Sequence, residues 1–267
     1  MRTHIRPVRG LQSPGFAELW RYRDLFWEMA MRDVRLRYRQ TVLGVAWVVL
    51  QPLLGAGILS FVFGSIAPGS TTFLVSFVGL LGWNVFSGTL LKAATSLMTN
   101  SSLVSKVFFP RLLLPFSTSV STLIDFAVSL VMLLMILVLN GVLPGLSMLL
   151  APLWIAIIMG CGMGIGLVCG ALSVRFRDVN HILPVVLNFM LYASPVAYGL
   201  SRIPDKLRDI VVWNPLSYPL EGLRSAMLGT GTVSLETFVF AGVSSVVLLL
   251  GGIFIFKYLE RDFADVI

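Results

Sequence analysis

Few residues in this chain have the type and spacing that catalysis requires. His4 and His181 are its two histidines, and neither stands with Cys, Asp or Glu at a spacing typical of metal ligands. The phosphate-binding pattern GxxxxGK[ST] is missing, so the sequence offers no standard cradle for ATP phosphates. Cys161 and Cys169 lie within an apolar run and are expected to be buried thiols. The sequence therefore predicts no catalytic residue, no metal site and no cofactor bound by this chain.

Asp125 is the one carboxylate that stands deep inside a long apolar segment. An ionised side chain at membrane depth is costly unless it is paired or hydrated. It could serve as a proton or substrate site, or it could be a packing residue hydrogen-bonded near Ser117, Ser121 and Ser129. We expect no basic partner within the membrane, which favours the packing interpretation.

A run of glycines at 160, 162, 164, 166 and 170 looks at first like a nucleotide-binding fingerprint. It lacks the G-x-G-x-x-G spacing and no strand precedes it. Gly162, Gly166 and Gly170 repeat every four residues, a spacing that lets membrane helices approach closely. The run therefore predicts helix packing.

The composition indicates which class of protein this chain belongs to. Hydrophobic residues make up 57% of the 267 residues and charged residues 12%, far from the balance of a soluble domain. Residues 40–91, 126–174, 182–201 and 237–256 contain no Asp, Glu, Lys or Arg. Since one span needs about 20 apolar residues, the first two runs are each long enough for two. The net charge of +7 is better explained by membrane orientation than by nucleic-acid binding.

The predicted fold is all-α and polytopic, with two parts. Residues 1–39 form a cytoplasmic tail and an interfacial amphipathic helix, and residues 40–267 form a six-helix transmembrane domain. The expected spans are about 41–66, 72–98, 112–139, 146–174, 179–200 and 237–256, with an inner loop at 99–111 and an outer re-entrant helical hairpin at 203–230.

The helix before the first span carries two stripes. Its apolar stripe repeats at helical spacing and its basic stripe lies opposite, as in helices that lie in the lipid headgroup layer. The apolar stripe comprises Phe16, Trp20, Trp27, Met31, Val34 and Tyr38, and Arg32, Arg35 and Arg39 belong to the basic one. A soluble helix packed on a partner domain is the alternative.

The distribution of positive charge predicts the orientation. Sixteen of the 20 Lys and Arg residues fall in segments that this topology places inside, Lys92 among them, where it would extend to the cytoplasmic interface. Both termini are therefore expected to be cytoplasmic. The segment VVWNPLSYPLEGLRSAML is too apolar for a free loop and too short to cross, so it predicts the hairpin on the outer side.

The inner loop TNSSLVSKVFFPR has the features of a short capped helix. Asn100, Ser101 or Ser102 could accept hydrogen bonds from first-turn amides, and Pro110 ends the segment. Leu103, Val107 and Phe108 would form an apolar face, typical of a lipid-surface helix or of a helix that docks a soluble partner.

The order of these parts resembles a known family. The segments that carry the resemblance are RDVRLRYRQTVLGVAWVVLQPLL, NSSLVSKVFFPRLLLP, RFRDV, WNPLSYPLEGLR and ERDFADVI. Together they are similar to the transmembrane subunit of ATP-binding-cassette exporters of lipid-linked polysaccharides, the O-antigen, teichoic-acid and capsule permeases. The resemblance covers nearly the whole chain.

The resemblance implies a homodimer in the cytoplasmic membrane of a bacterium, joined to two copies of a separate ATPase that binds ATP and Mg. It implies a lipid-linked polysaccharide as substrate, with membrane lipids around it and no nucleic acid. A coupling helix would dock in the ATPase through Ser101, Ser102, Leu103, Val104, Lys106, Val107, Phe108 and Phe109. The outer hairpin would gate the exit with Trp213, Asn214, Pro215, Tyr218, Glu221 and Arg224.

Spans one, two and five would line the channel in such a protein. Their aromatic side chains could stack against sugar rings, and the candidates are Trp47, Phe61, Trp83, Phe86, Phe189, Tyr192 and Tyr198. The alternatives are a drug or lipid exporter of the same superfamily, a proton-coupled carrier and a membrane enzyme. Inverted repeats would favour the carrier, and the sequence shows none.

Overall fold

The computed structural model describes residues 20–38, 46–64, 72–141, 145–200, 211, 213–229, 233–260 and 263. Within these ranges every regular element is a helix, which confirms the predicted all-α class. The predictions for the first 19 residues, for Arg39, for most of the hairpin's first half at 203–210 and for residue 230 lie outside the described residues.

The described residues form nine α-helices, numbered here in chain order. They are α1 Arg23–Tyr38, α2 Ala46–Gly64, α3 Thr72–Thr99, α4 Ser101–Lys106, α5 Leu113–Leu139, α6 Ala151–Arg175, α7 Val179–Ala193, α8 Ser217–Leu228 and α9 Leu235–Leu259. A 3-10 turn, Leu146–Leu150, leads directly into α6.

Four described segments are long and apolar enough to cross a membrane. They are Phe73–Thr99, Leu113–Leu139, Leu146–Arg175 and Leu235–Leu259, and they correspond to predicted spans two, three, four and six. The predicted first and fifth spans are occupied by the shorter apolar helices α2 and α7. The protein is therefore a multi-pass helical membrane protein with four candidate full-length spans among the described residues, and the count of six is not confirmed.

The predicted fifth span, 179–200, extends seven residues beyond the end of the helix that occupies it, α7, which ends at Ala193. Helix α7 ends at Ala193 because Ser194 precedes a proline and adopts an extended backbone with ψ of 150°. Its 15 residues reach about 22 Å at about 1.5 Å per residue, less than the roughly 30 Å of a bilayer core. The chain then continues as a non-helical segment whose residues Ser194 to Ala197 are buried.

Helices α3 and α6 form the centre of the bundle. Helix α3 packs against α2, α5, α6 and α8, and α6 packs against α9 on its other side. The apolar core forms two clusters along the bundle. One joins the first half of α3 to α8 and the start of α6, and the other joins α1, α4 and the end of α3 to the ends of α6 and α9.

Glycines of α6 let both of its neighbours approach closely, as the sequence predicts. A Cβ atom at Gly162 would lie 2.7 Å from the carbonyl oxygen of Phe86 on α3. One at Gly164 would clash with the carbonyl oxygen of Leu248 on α9. The glycines spaced four residues apart, Gly162, Gly166 and Gly170, thus face α3. Gly164 lies two residues after Gly162 and faces α9, where it contacts Gly252.

Helix α1 packs on the bundle through a different face from its predicted apolar stripe. Met29 and Ala30 are the buried residues, in the cluster that also holds Leu97 and Val104. Trp20 and Trp27 of the stripe are exposed. These two rings therefore remain at the surface of the chain, where the interfacial interpretation needs them.

Helix α8 forms most of the described part of the predicted hairpin. It packs against α3 and α6, with Leu220 and Leu223 fully buried. The helix ends at Gly229, whose φ of +66° is a left-handed cap that glycine adopts without strain. Helix α8 is therefore packed against protein along its length. The re-entrant hairpin as a whole stays a prediction.

Candidate functional site: a charged cavity among five helices

A cavity of about 570 Å³ opens between the helices. Its walls come from α2, α3, α5 and α7, and Arg37 of α1 reaches its edge. Much of the lining is polar although these helices are apolar overall: Arg37, Gln51, Asn84, Ser87, Lys92, Thr122, Asp125, Ser129 and Asn188. A polar cavity inside apolar helices is a place where hydrated or hydroxyl-bearing groups can be accommodated.

Pro52 shapes one wall of this cavity. Proline has no backbone N–H, so within α2 the carbonyl oxygen of Val48, four residues earlier, lacks its helical donor. The hydroxyl of Ser129 on α5 donates to that oxygen at 3.2 Å. The proline therefore leaves an acceptor open, and the acceptor ties α2 to α5 at the cavity.

Asp125 is the centre of a charged cluster in the cavity. Its Oδ2 atom lies 2.8 Å from Nη1 of Arg37 and 3.1 Å from Nζ of Lys92. The Lys92 ammonium also donates to the hydroxyl of Ser121, one turn before Asp125, at 2.8 Å. The expectation that Asp125 has no basic partner within the membrane is wrong, because Lys92 turns toward α5 instead of extending along α3.

Three elements bring these charges together. Arg37 stands in the last turn of α1, Lys92 lies within the last two turns of α3, and Asp125 lies in α5. The Asp125 side chain is 17% exposed, Lys92 24% and Arg37 42%, so the cluster is partly buried yet reachable from the cavity. From the sequence, Arg37 and Lys92 are expected only as inner-side charges, and their pairing with Asp125 is not predicted.

Apart from these three residues, the cavity lining is uncharged. Gln51, Asn84 and Asn188 each offer an amide donor and acceptor. Thr122 is 3% exposed, and its hydroxyl has no hydrogen-bond partner among the described residues. The arrangement suits the binding of a polar, hydroxylated chain. No group of three or more His, Cys, Asp or Glu residues in the described ranges could hold a metal ion.

The seven predicted aromatic residues do not share one environment. Trp83 lines the cavity, and Phe86, 5.5 Å from it between ring centroids, is fully buried. Four others are exposed on the surface of the chain: Trp47, Phe61, Phe189 and Tyr192. Tyr198 lies in the segment after α7. A channel role for these residues stays a prediction.

The predicted coupling helix is shorter than expected. Helix α4 ends at Lys106 because Val107 adopts an extended backbone, so the prediction of a helix through Phe109 is wrong in its length. Val104 and Phe109 are buried against the bundle, which anchors the segment, whereas Phe108 is 94% exposed. Val107 is also exposed, while Leu103 is half-buried. Docking by this surface stays a prediction.

The expected side-chain cap of α4 is not formed. Asn100 is the N-cap residue, yet its side chain accepts no hydrogen bond from the first turn. Its backbone carbonyl accepts from the N–H groups of Leu103 and Val104. The side-chain amide contacts other elements: its oxygen accepts from Arg32, and its nitrogen donates to the carbonyl of Ser96 at 2.8 Å.

Arg224 holds α8 to the segment after α7. Its side chain is 3% exposed and pairs with Glu221 one turn earlier. Nη2 donates to the carbonyl oxygens of Pro195 and Val196 at 2.9 and 3.2 Å. A buried guanidinium that serves one carboxylate and two carbonyls is a structural clamp.

The other predicted hairpin residues are placed around this clamp. Asn214 donates to the hydroxyl of Ser194 at 2.9 Å, and Tyr218 packs edge-on against Phe240. Trp213 is exposed and Pro215 is half-buried. The structure thus fixes the positions of these residues, and their role in gating stays a prediction.

Residues 24–228 match the family model described as ABC-2 type transporter. This match covers α1 through α8, including every residue of the charged cluster and the cavity.

The curated relatives match along most of their length. An O-antigen export system permease protein RfbA from Myxococcus xanthus is 30% identical over 93% of this chain and 97% of its own length. A protein of the same name from Klebsiella pneumoniae is 26% identical over 91% of this chain and 95% of its own length. The polysialic acid transport protein KpsM from Escherichia coli is 26% identical over 74% of this chain and 79% of its own length.

Proposed function

The chain belongs to the ABC-2 type transporter family, and from that premise we propose that it is the permease subunit of an ATP-driven exporter of a lipid-linked polysaccharide. The observation that carries the proposal is the similarity, along most of the chain, to permeases named for O-antigen export and polysialic acid transport. The cavity supports the proposal chemically, because its amides and hydroxyls are suited to sugar hydroxyl groups.

The energy source in this proposal is a separate ATPase. The sequence has no phosphate-binding loop, so ATP and Mg would bind on the partner and the work would reach this chain by contact. The segment at 101–109 is the proposed contact, since it presents Phe108 to the surface while Val104 and Phe109 fix it to the bundle. Two permease chains and two ATPases would make the complete exporter.

The proposed location is the cytoplasmic membrane of a bacterium, with both termini inside. The excess of Lys and Arg in the loops assigned to the inner side supports this orientation. The polysaccharide path would lie at the interface of two copies of the chain.

Reconstitution into vesicles tests the proposal. The chain together with its cognate ATPase should move a lipid-linked polysaccharide across the membrane only when ATP and Mg are supplied. The matched control pairs the same chain with an ATPase whose phosphate-loop lysine is replaced. Transport by this chain alone, or transport driven by a proton gradient, would contradict the proposal and favour a carrier. ATP-driven movement of lipids or drugs without the glycan would favour another exporter of the superfamily.

A further inference from the structure

Among the described residues, the charged cluster of the cavity carries more positive than negative charge. Arg37 and Lys92 both pair with the same oxygen atom of Asp125, at 2.8 and 3.1 Å. One carboxylate carries one negative charge against two positive charges. Since isolated charge is costly at membrane depth, such a cluster favours the arrival of another anion.

The nearest other charges in the described part of the chain do not supply that anion. Asp33 is the further acidic group that acts on Lys92, and it is paired with Arg32 at 3.2 Å. That neighbouring pair is neutral as a whole. The five described groups together, Arg32, Asp33, Arg37, Lys92 and Asp125, therefore retain one net positive charge.

Both cations are accessible to a ligand. Lys92 and Asp125 line the 570 Å³ cavity, and Arg37 lies at its edge with 42% of its side chain exposed. A guanidinium has five N–H donors in a planar fork. The Lys92 ammonium has three, of which Asp125 and Ser121 take two, so one remains for a further acceptor. Multiple oxygens on one tetrahedral group are the acceptors that Arg and Lys bind together.

The rest of the lining adds neutral donors and acceptors to the site. It offers the amides of Gln51, Asn84 and Asn188 and the hydroxyl of Thr122, which has no partner among the described residues. A buried hydroxyl without a partner is unfavourable until a ligand or water satisfies it. A ligand that carries both an anionic group and hydroxyl groups matches the charged and the neutral parts of this lining.

We infer that Arg37 and Lys92 form a binding subsite for a phosphoryl group of the cargo, in which Asp125 competes with that group for the two cations. The identification of the cargo rests on the proposed function, whereas the binding of a phosphoryl group does not. The phosphate could be the one that joins a glycan to its lipid or one within the glycan itself. The chemistry of recognition is the same for both sources.

Isothermal titration of the purified full-length chain in detergent tests the inference. The probes are a polyprenyl monophosphate, with the neutral polyprenol as its control, and glucose 1-phosphate, with glucose as its control. We expect at least one phosphorylated probe to bind at least tenfold more tightly than its neutral control. This preference should decrease as salt is added, because part of each cation is exposed to solvent.

Two substitutions should change the affinity in opposite directions. Lys92→Gln removes a cation and should weaken phosphoryl binding at least tenfold. Asp125→Asn frees both cations from a competing carboxylate and should strengthen binding several-fold. A purely structural pair would be disrupted by either change and could not give opposite signs. Arg23→Gln, which removes a solvent-exposed arginine of the same helix as Arg37, should leave the affinity unchanged.

The outcomes separate the sources and the hypotheses. Binding of the polyprenyl phosphate alone assigns the lipid linkage, and binding of glucose 1-phosphate assigns a phosphate on the sugar. Equal binding of charged and neutral probes, or phosphoryl binding that is unaffected by Lys92→Gln in a folded variant, overturns the inference. ATP-driven export that persists after such a result leaves the proposed function standing.

Discussion

Arg32 of α1 donates a hydrogen bond from its guanidinium to the side-chain oxygen of Asn100, the residue directly before α4. Five residues later in the same helix, Arg37 pairs with Asp125 in the cavity. One surface helix therefore contacts both the segment proposed to dock the ATPase and the charged cluster. A displacement of α4 would be passed to α1 and from there to Asp125.

The contact between Arg32 and Asn100 should matter for transport more than for assembly. Arg32→Gln shortens the side chain and removes its charge, so we expect export in reconstituted vesicles to fall several-fold while the ATPase still co-purifies. Arg35→Gln is the matched control, because Arg35 lies in the same helix and is exposed. Equal loss of export in both variants would show that general charge, and not this contact, is responsible.

Phe108 should be the main apolar contact of the docking segment. Its side chain is almost fully exposed although Val104 and Phe109 on either side are buried, so replacing it leaves the bundle intact. We expect Phe108→Asp to abolish co-purification of the ATPase with unchanged membrane insertion. Ser105→Asp places the same charge at an exposed position of α4 without removing an apolar side chain, and should retain binding. Retention of the ATPase at full yield by Phe108→Asp would refute docking at this site.

Gly164 should tolerate no side chain. A Cβ atom there would clash with the backbone oxygen of Leu248, so α6 and α9 would have to separate. We expect Gly164→Ala to destabilise the protein by about 1–3 kcal/mol, measured by thermal unfolding in detergent. Gly251→Ala is the control, since no atom lies within 4 Å of the position of its Cβ. An unchanged melting temperature for Gly164→Ala would mean that the close approach of α6 and α9 is not required.

The membrane class and the close approach along α6 were predictable because each depends on a pattern within the chain. Hydropathy indicates the membrane-spanning segments. The spacing of Gly162, Gly166 and Gly170, four residues apart, indicates the face of α6 that packs against α3. The end of α7 was missed although a local signal was present, since Ser194 precedes a proline.

The cavity was only partly predictable, because it depends on how separate helices rotate against each other. Asp125 was identified by its depth, yet its pairing with Lys92 needed the rotation of α3 relative to α5, which the sequence does not specify. One signal was available in the sequence. When a lysine and an aspartate in consecutive apolar spans pair, each lowers the free-energy cost of placing the other's charge in the membrane. Arg37 could not be assigned, because it reaches the site from a helix that packs through Met29 and Ala30, a face other than the predicted stripe.

The contact between Ser129 and the carbonyl of Val48 should depend on Pro52. The hydroxyl of Ser129 replaces the helical N–H that proline lacks, so Ser129→Ala should cost about 1 kcal/mol in the native chain and close to nothing once Pro52→Ala restores a backbone donor. A double-mutant cycle measured by unfolding in detergent gives this coupling directly. Ser121 donates to the carbonyl of Thr118 in its own helix, so Ser121→Ala is the control whose cost should not depend on Pro52. Additive effects of Pro52→Ala and Ser129→Ala would show that the hydroxyl does not compensate for the proline.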